Sequence, residues 1–323
     1  MVETVTPSEP HILELEHVTE YTVVKRERFR VEFPHSYSSQ TQIPAPLPSE
    51  PARPKRVVIL TATLTEYKAV REHLDLDSLE RIYHDERAHE KMQFHDKQKS
   101  WDIILILTGQ GSLNAQSETL FALNKYKPEI MLFLGTAGGI KPQDVDLGDV
   151  VVANKIYCYE HGTWTEVTDT KTGKKELTFS ARPELYYPDK KLTNRAELLL
   201  LDHTWKKRIK ETKNETGRLA RERAKVLCGP LATGSAILET MDAPPSKIVK
   251  ANYEDSLAVE MEGFGFFHAV EEDRNVHATE IRGISDIVQD ENKQTTDGAE
   301  WPETAMAHAS AFAFGLIVIF SET

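Results

Sequence analysis

Short runs dominated by apolar residues recur along the chain, at 57–60, 101–107, 129–134, 150–153, 227–232, 258–261 and 280–285. Runs of this length and composition are typical of strands that are buried on both faces of a sheet. Helices are predicted between and after them, at 65–74, 114–125 and 303–320. The alternation of strands and helices predicts an α/β domain with a largely parallel central sheet and helices on both of its faces.

The first 55 residues differ from the rest of the chain, because they hold eight of its sixteen prolines. Residues 38–54 are expected to form an extended linker. The stretches 21–24 and 29–33 are rich in β-forming residues and predict one or two strands. We therefore divide the chain into an N-terminal arm with a proline-rich linker, 1–55, and a main domain, 56–323.

A polar segment at 161–225 interrupts the main domain. Within it we expect a β-excursion at 164–179 and an exposed helix at 194–213. The most apolar stretch, 305–320, is shorter than the roughly 20 residues of a membrane span and contains two polar residues. We expect it to form a buried C-terminal helix.

Composition narrows the class of protein. Hydrophobic residues make up 40% and charged residues 28%, as in globular proteins, and the formal net charge of −12 makes a nucleic-acid partner unexpected. There is no apolar leader, no HExxH or P-loop motif, and the two cysteines fit no metal or redox spacing. We expect a cytoplasmic protein with no membrane partner, no metal and no other cofactor. Three histidines in a charged stretch are expected to be solvated: His84, His89 and His95.

Small and acidic residues follow several predicted strands, at 61–66, 108–111, 135–139 and 285–286. Because the carboxyl ends of parallel strands meet at one edge of a sheet, we expect a ligand pocket there. Residues 109–111 resemble part of a dinucleotide fingerprint. Asn114 occupies the third glycine position, however, and no acid ends the next strand, so a tight turn is favoured. The glycines of 135–139 either admit a flat ligand or form a loop that needs positive φ.

Several acids stand where chemistry is plausible, and each has a second interpretation. Asp286 ends a buried strand, where a raised pKa suits a general acid, but an Asp there can equally cap a helix. Glu262, like its neighbour Glu260, lies in an apolar context and can clamp two ribose hydroxyls or be a surface acid. Glu66 completes a capping box with Thr63, and the alternative role is a general base that activates water.

Six segments together resemble the nucleoside phosphorylase/nucleosidase superfamily, and methylthioadenosine/S-adenosylhomocysteine nucleosidase-like domains in particular. They follow the family's order and are 58–62 with Glu66, 135–140, 147–153, 232–237, 259–263 and 282–286. The resemblance implies a phosphorylase-like three-layer αβα fold with a mixed, largely parallel central sheet. It also implies hydrolysis of the N-glycosidic bond of a purine nucleoside or nucleotide, with adenine as the expected base.

The resemblance assigns a role to each matching residue. Asp286, oriented by Ser285, would protonate N7 of the leaving purine. Glu262 would bind the ribose 2′- and 3′-hydroxyls, and Glu66 would help to activate the attacking water. The remaining substrate contacts are expected from Met261 on the sugar, Ala137 and Gly138 along purine and sugar, and backbone groups near Ile237 and Leu238 at the base edge.

The resemblance leaves alternatives open. Phosphorylases of the superfamily carry an arginine after the first strand, whereas 61–65 has none, so hydrolysis is favoured over phosphorolysis. A catalytically silent purine-binding sensor is the alternative from another class. The long insertion also resembles nucleosidase domains of bacterial antiviral defence effectors, which would imply AMP or ATP as substrate. In that case a 5′-phosphate would meet Lys155, Arg182 or Lys190, unless these are solvated. Family analogy also implies a homo-oligomer.

Overall fold

The computed structural model describes residues 14–19, 22–28, 55–168, 170–210, 222–288 and 301–321. The chain divides into two compact units, Met1–Ala52 and Arg53–Thr323. In the first unit, β1 (Glu14–Thr19) pairs antiparallel with β2 (Thr22–Arg28). The predicted strand at 21–24 overlaps β2, β1 was not predicted, and the predicted strand at 29–33 lies outside the described residues.

The second unit is built on a ten-stranded sheet and a separate two-stranded ribbon. Its strands are β3 (Lys55–Thr61), β4 (Asp75–His84), β5 (Arg87–Asp96), β6 (Lys99–Leu107), β7 (Ile130–Gly139), β8 (Val150–Cys158), β9 (Gly162–Thr168), β10 (Lys175–Ala181), β11 (Glu184–Tyr186), β12 (Val226–Thr233), β13 (Ala258–Glu260) and β14 (His277–Ile287). Strands β9 and β10 form the ribbon, which confirms the predicted β-excursion.

The central sheet is mixed. Parallel pairs join β6 to β3, β3 to β7 and β7 to β14, and a second parallel set joins β8, β12 and β13. Antiparallel pairs join these two sets to one another and add β4, β5 and β11 at the edges. Every apolar run that predicted a strand lies in this sheet, and the predicted fold class is confirmed.

Helices cover both faces of the sheet and make three layers. They are α1 (Leu64–Arg71), α2 (Ser112–Tyr126), α3 (Lys190–Leu201), α4 (Pro244–Asn252), α5 (Gly263–Val270) and α6 (Trp301–Phe320), with a short 3₁₀ helix at His203–Arg208. Successive side chains of a strand point to opposite faces. Val57 and Ile59 accordingly pack in the core under α1, α3 and α6, whereas Val58 and Leu60 pack in the core under α2 and α5.

The C-terminal helix α6 is long and apolar enough to cross a membrane by length and composition, but 89% of its apolar window is buried inside the protein. It packs on the sheet through its contacts with β7 and β14 and is flanked by α1 and α3. A helix that is apolar on all sides is expected to lie within a core. The prediction of a buried C-terminal helix is confirmed.

Two predictions in polar regions were wrong. The helix expected at 194–213 instead begins after Asp189, which caps it, and ends at Leu201; Asp202 then caps the 3₁₀ helix. Its inner face packs in the core and is not solvated. His89, expected in solvent, is buried in the unpredicted β4–β5 hairpin, where it contacts the Tyr126 hydroxyl at 2.8 Å and Glu118 at 3.3 Å.

A second histidine, His73, is held neutral by the core. Its ring stacks on Phe314 with 4.7 Å between centroids, and its Nε2 has no hydrogen-bond partner among the described residues. Burial, helped by the positive charges of Lys210 and Arg208, lowers the pKa of His73 from 6.5 to about 3. Protonation of this side chain therefore opposes folding.

We predict that His73 makes the fold sensitive to acid. Because its folded pKa lies below its unfolded value, its contribution to stability is complete above pH 6.5 and is lost as the pH falls toward about 3. His73→Phe keeps a ring on Phe314 and removes the titration. The free energy of unfolding, measured with urea, should fall less between about pH 7 and about pH 4.5 in H73F than in wild type. The exposed His203→Gln should behave like wild type, and an H73F loss equal to that of wild type contradicts the assignment.

Candidate active site

A cavity of about 160 Å³ opens at the carboxyl ends of β3, β7, β13 and β14, the sheet edge at which a ligand pocket was expected. All nine residues predicted for the site line it: Glu66, Ala137, Gly138, Ile237, Leu238, Met261, Glu262, Ser285 and Asp286. Eight further lining residues had been given no role: Ala62, Thr63, Gln110, Thr136, Ala236, Val259, Glu260 and Arg282. The expected sheet edge thus gathers the expected residues in one place.

Asp286 is brought into the cavity by an irregularity in β14. The strand pairs with β7 in regular parallel register up to Ile284, then shifts, so that Asp286 stands opposite Gly138. Such a bulge redirects the side chains that follow it. A β-carbon on Gly138 would come within 2.8 Å of the Asp286 Oδ2 atom, so a larger residue there would force the carboxyl group to move. The Ser285 hydroxyl donates to Asp286 Oδ1 at 2.8 Å.

The environment of Asp286 favours its protonated form. The residue retains surface toward the open cavity, but the surrounding protein atoms remove much of the water from its carboxyl group. This desolvation raises the pKa of Asp286 above the ordinary 3.8, the negative charge of Glu239 raises it further, and the hydrogen bond from Ser285 acts in the opposite direction. A carboxyl group with a raised pKa is suited to donating a proton.

Glu66 forms the predicted capping box and also lies on the wall of the cavity. Its Oε2 atom accepts the backbone N–H groups of Ala62 and Thr63 at 2.9 Å, which completes the capping box of α1. Its Oε1 atom accepts the backbone N–H of Thr136 at 2.9 Å and faces that residue's hydroxyl at 3.3 Å. The cap therefore fixes the carboxylate where β3 and β7 meet, on the wall of the cavity.

Glu262 is held at both of its oxygens. Its Oε1 accepts the backbone N–H of Gly111 at 2.7 Å, and its Oε2 accepts from Arg282 at 3.1 Å. Gly111 has a φ of +94°, so the tight turn predicted at 109–111 serves to aim this N–H at the acid. Desolvation raises the pKa of Glu262, Arg282 opposes that shift, and Glu260 adds to it by repulsion.

A buried group of charges surrounds Glu262, and it was not predicted as a unit. We call it the Arg282 cluster: Glu260, Glu262, Glu280 and Arg282. The guanidinium passes over Gly135, where a β-carbon would lie 2.1 Å from Nη1. The signal in the sequence is Glu280 and Arg282, two charges spaced two apart inside a buried strand and so on the same face of it.

The cations considered for a 5′-phosphate lie elsewhere. Lys155, Arg182 and Lys190 are absent from the cavity lining, and Lys155 is paired with Asp255 at 3.3 Å and with the Tyr157 hydroxyl at 2.8 Å. Within the described part of the chain, Arg282 is the only cation that lines the cavity. No group of His, Cys, Asp and Glu with metal-binding geometry is found among the described residues.

Comparison with known proteins gives a family from sequence and a shared fold from structure. Residues 56–320 match the family model of the phosphorylase superfamily. The 5′-methylthioadenosine/S-adenosylhomocysteine nucleosidase of Bacillus licheniformis is 24% identical over 216 residues, which are 67% of this chain and 80% of that protein. The match to the family model therefore extends over the whole sheet of the second unit and over α6.

Two solved structures show how widely the fold is shared. The Colwellia psychrerythraea nucleosidase of the same name, in complex with adenine, has a TM-score of 0.62 at 20% identity, covering 82% of this chain and 96% of that one. The Helicobacter pylori futalosine hydrolase has a TM-score of 0.59 at 16% identity, covering 82% and 98%. On the match of 56–320 and on this shared fold, the chain belongs to the phosphorylase superfamily.

Proposed function

We propose that the protein is a purine nucleosidase that hydrolyses the N-glycosidic bond of a purine, in particular adenine, nucleoside and releases the free base. The observation that carries the proposal is the meeting of three acids in one cavity: Asp286 with a raised pKa, Glu262 held by Gly111 and Arg282, and Glu66 fixed by four donors. The names of the relatives, and the adenine in the Colwellia structure, support the choice of base and reaction.

In the proposed reaction, the C1′–N9 bond breaks and its electron pair passes to the purine. The Asp286 carboxyl group donates a proton to N7, so the base leaves as a neutral molecule. Water attacks C1′ of the oxocarbenium-like sugar and loses a proton, which Glu66 helps to remove. The products are the free base and a sugar that carries a hydroxyl at C1′. The Ser285 hydroxyl keeps the Asp286 carboxyl oriented toward the base.

The remaining residues bind the substrate in this proposal. Glu262 accepts the ribose 2′- and 3′-hydroxyls, with Met261 packed on the sugar. Ala137 and Gly138 line the purine and sugar, and backbone groups near Ile237 and Leu238 read the base edge. Each of these residues lines the cavity, and glycine and alanine on β7 allow a flat base to approach the backbone closely.

Hydrolysis is supported over phosphorolysis by the state of the one cavity cation. Arg282 donates to Glu260 at 2.6 Å, to Glu262 at 3.1 Å, to Glu280 at 2.5 Å and to the Thr136 carbonyl at 3.2 Å. A phosphate anion needs arginine forks or a backbone nest, and four of the five N–H groups of Arg282 are already committed to other oxygens. Phosphorolysis and a non-catalytic purine sensor are the alternatives.

The same reasoning bears on the 5′ group. Because the cavity lining within the described residues offers no uncommitted cation, we propose an uncharged 5′ group, a hydroxyl or a methylthio group. A nucleotide such as AMP or ATP, with a role in antiviral defence, is the alternative. We also propose a homo-oligomer, since Ile237 beside the cavity and Leu113 at the start of α2 are 69% and 82% exposed and a second subunit would cover them.

We predict that Asp286→Asn lowers kcat roughly 10²–10⁴-fold, because an amide cannot supply the proton. The release of free base should be measured by chromatography, with and without added phosphate, and wild type should not need phosphate. The exposed Asp242→Asn is the matched control and should retain wild-type turnover. A D286N variant as active as D242N would remove Asp286 from the chemistry, and strict dependence on phosphate would make the enzyme a phosphorylase.

The pH–rate profile gives a second prediction. The active form carries a proton on Asp286, so kcat falls as the pH rises through the pKa of that residue. Glu239→Gln removes one of the charges that raise this pKa, so the falling limb should move to lower pH, by a small amount because Glu239 is exposed. Glu254→Gln, also exposed, is the control. A limb that moves to higher pH in E239Q contradicts the assignment of the limb to Asp286.

The 5′ preference is tested with four substrates: adenosine, methylthioadenosine, AMP and ATP. We predict a higher kcat/KM for the two nucleosides, because a 5′-phosphate would lose water without gaining a cation. A lower KM for AMP or ATP than for adenosine would contradict this and favour the nucleotide alternative. In that case Lys155→Gln, Arg182→Gln and Lys190→Gln should be compared for a specific rise in the KM of AMP.

A further inference from the structure

The buried carboxyl group of Glu280 is not explained by the proposed reaction. Glu280 lies inside β14, is 0% exposed, and is not among the residues that line the cavity. Its Oε1 atom accepts from Arg282 Nε at 2.5 Å. An acid is rarely buried completely unless its charge is compensated. Arg282 must already compensate Glu260 and Glu262, so the Arg282 cluster contains three carboxyl groups for one guanidinium.

The carboxyl oxygens of Glu260 and Glu280 differ in the number of hydrogen bonds that they accept. Glu260 Oε2 accepts three hydrogen bonds, from Arg282 at 2.6 Å and from the backbone N–H groups of Glu262 and Gly263 at 2.7 and 2.8 Å. The other oxygens, Glu260 Oε1 and Glu280 Oε2, are buried and have no donor among the described residues. Both face one point: a β-carbon on Gly263 would lie 2.8 Å from the first and 2.4 Å from the second.

Two buried acceptor oxygens that face one point and have no donor among the described residues are best accommodated by a proton between them. If both groups were ionised, their negative charges would repel away from bulk solvent, and neither oxygen would have a donor. A single proton makes one of them a donor and converts the repulsion into an O–H···O⁻ hydrogen bond. It also reduces the charge that Arg282 must balance from three carboxylates to two.

We propose that Glu280 is a positioning residue that shares a proton with Glu260, and that this singly protonated pair keeps Arg282 directed at Glu262. The inference rests on the proposed function only for the role of Glu262 as the ribose ligand. With the proton in place, the guanidinium holds one oxygen of Glu262 while Gly111 holds the other. Without it, a second full negative charge competes with Glu262 for the same guanidinium.

Four charged or titratable side chains surround the pair of Glu260 and Glu280 among the described residues. They are Arg282 and Glu262 within the cluster, Glu66 of α1 beside Arg282, and Tyr159, which follows β8 and lies beside Glu260. Complete burial raises the pKa of Glu280 well above 4.5, Arg282 opposes the shift, and Glu260 adds to it. The arrangement is therefore present below this raised pKa and is lost as the pH rises through it.

The first test detects the proton itself and needs no substrate. A buried protonated carboxyl group gives an infrared C=O stretch that an ionised carboxylate lacks. Asp286→Asn removes one competing acid, and we expect a carboxylic band to persist in D286N at about pH 7. Adding Glu280→Gln should remove a component of that band; burial also raises the pKa of Glu262 and of Asp149, and these two acids account for any component that remains. A D286N protein with no such band overturns the proposal, whether or not the protein is a nucleosidase.

The second test measures positioning with methylthioadenosine as substrate. Glu280→Gln keeps an oxygen for Arg282 and an N–H for Glu260, whereas Glu280→Leu removes both. We expect E280L to raise KM about tenfold or more through misplacement of Glu262, while E280Q stays within about threefold of wild type at about pH 7. Wild type should lose affinity at alkaline pH, and E280Q, which has no proton to lose, should lose less.

The exposed Glu272→Gln is the control for the second test, and its KM should equal that of wild type at every pH. Circular dichroism should confirm that each variant is folded. A folded E280L with wild-type KM overturns the positioning role. Equal losses in E280Q and E280L overturn the shared proton, because they would mean that Glu280 acts through its charge. If no variant and no wild type cleaves nucleosides, the proposed function fails, and the infrared result still decides on the proton.

Discussion

The parallel pairing of β14 with β7 is the constraint on which the site depends. In its register Arg282 stands opposite Gly135 and Asp286 stands opposite Gly138. Each functional side chain thus lies over a residue without a β-carbon, and in both cases a β-carbon would collide with it. A slip of one residue in this pairing would turn both side chains to the other face of the sheet. The glycine-rich end of β7 therefore serves the polar groups of β14 as well as the ligand.

The second constraint is the cost of burying charge. Arg282 is 1% exposed and is engaged by carboxyl and carbonyl oxygens. Buried ion pairs contribute little to stability after desolvation, but removing one partner is costly, since the other charge is then uncompensated. The main effect of the arrangement is to orient side chains. The cluster holds the Oε2 atom of Glu262 through Arg282, and the sheet register holds Asp286. Asp286 and Glu262 are thus both placed by residues of β14.

Much of the fold followed from the sequence, because apolar runs on β3, β6, β7 and β14 report burial directly. The β4–β5 hairpin could not be predicted in this way. Its strands lie toward one edge of the sheet, and only a few of their residues are buried between many charged ones. Helix α3 was misplaced because its limits are set by Asp189 and Asp202, two capping residues within a polar stretch. Capping hydrogen bonds set those boundaries, and the pattern of hydrophobic residues does not reveal them.

The residues of the site could be predicted, but the hydrogen bonds between them could not. Asp286, Glu262 and Glu66 each stand in a short motif next to a strand end, and all three line the cavity. Their roles stay predictions until they are tested. Glu280 and Gly111 could not be placed in advance, because their partners are distant in sequence and meet only through the register of the sheet. Even so, two charges at alternate positions of an apolar strand were a readable sign of a buried ion pair.

In the proposed reaction Asp286 supplies a proton to the leaving base. The decisive measurement uses a leaving group that needs no proton, p-nitrophenyl riboside, given to wild type and D286N. We expect D286N to cleave this compound at a rate near that of wild type while its cleavage of the purine nucleoside falls by orders of magnitude. An equal loss on both substrates would rule out proton donation, because Asp286 would then act on the sugar or on the structure of the site.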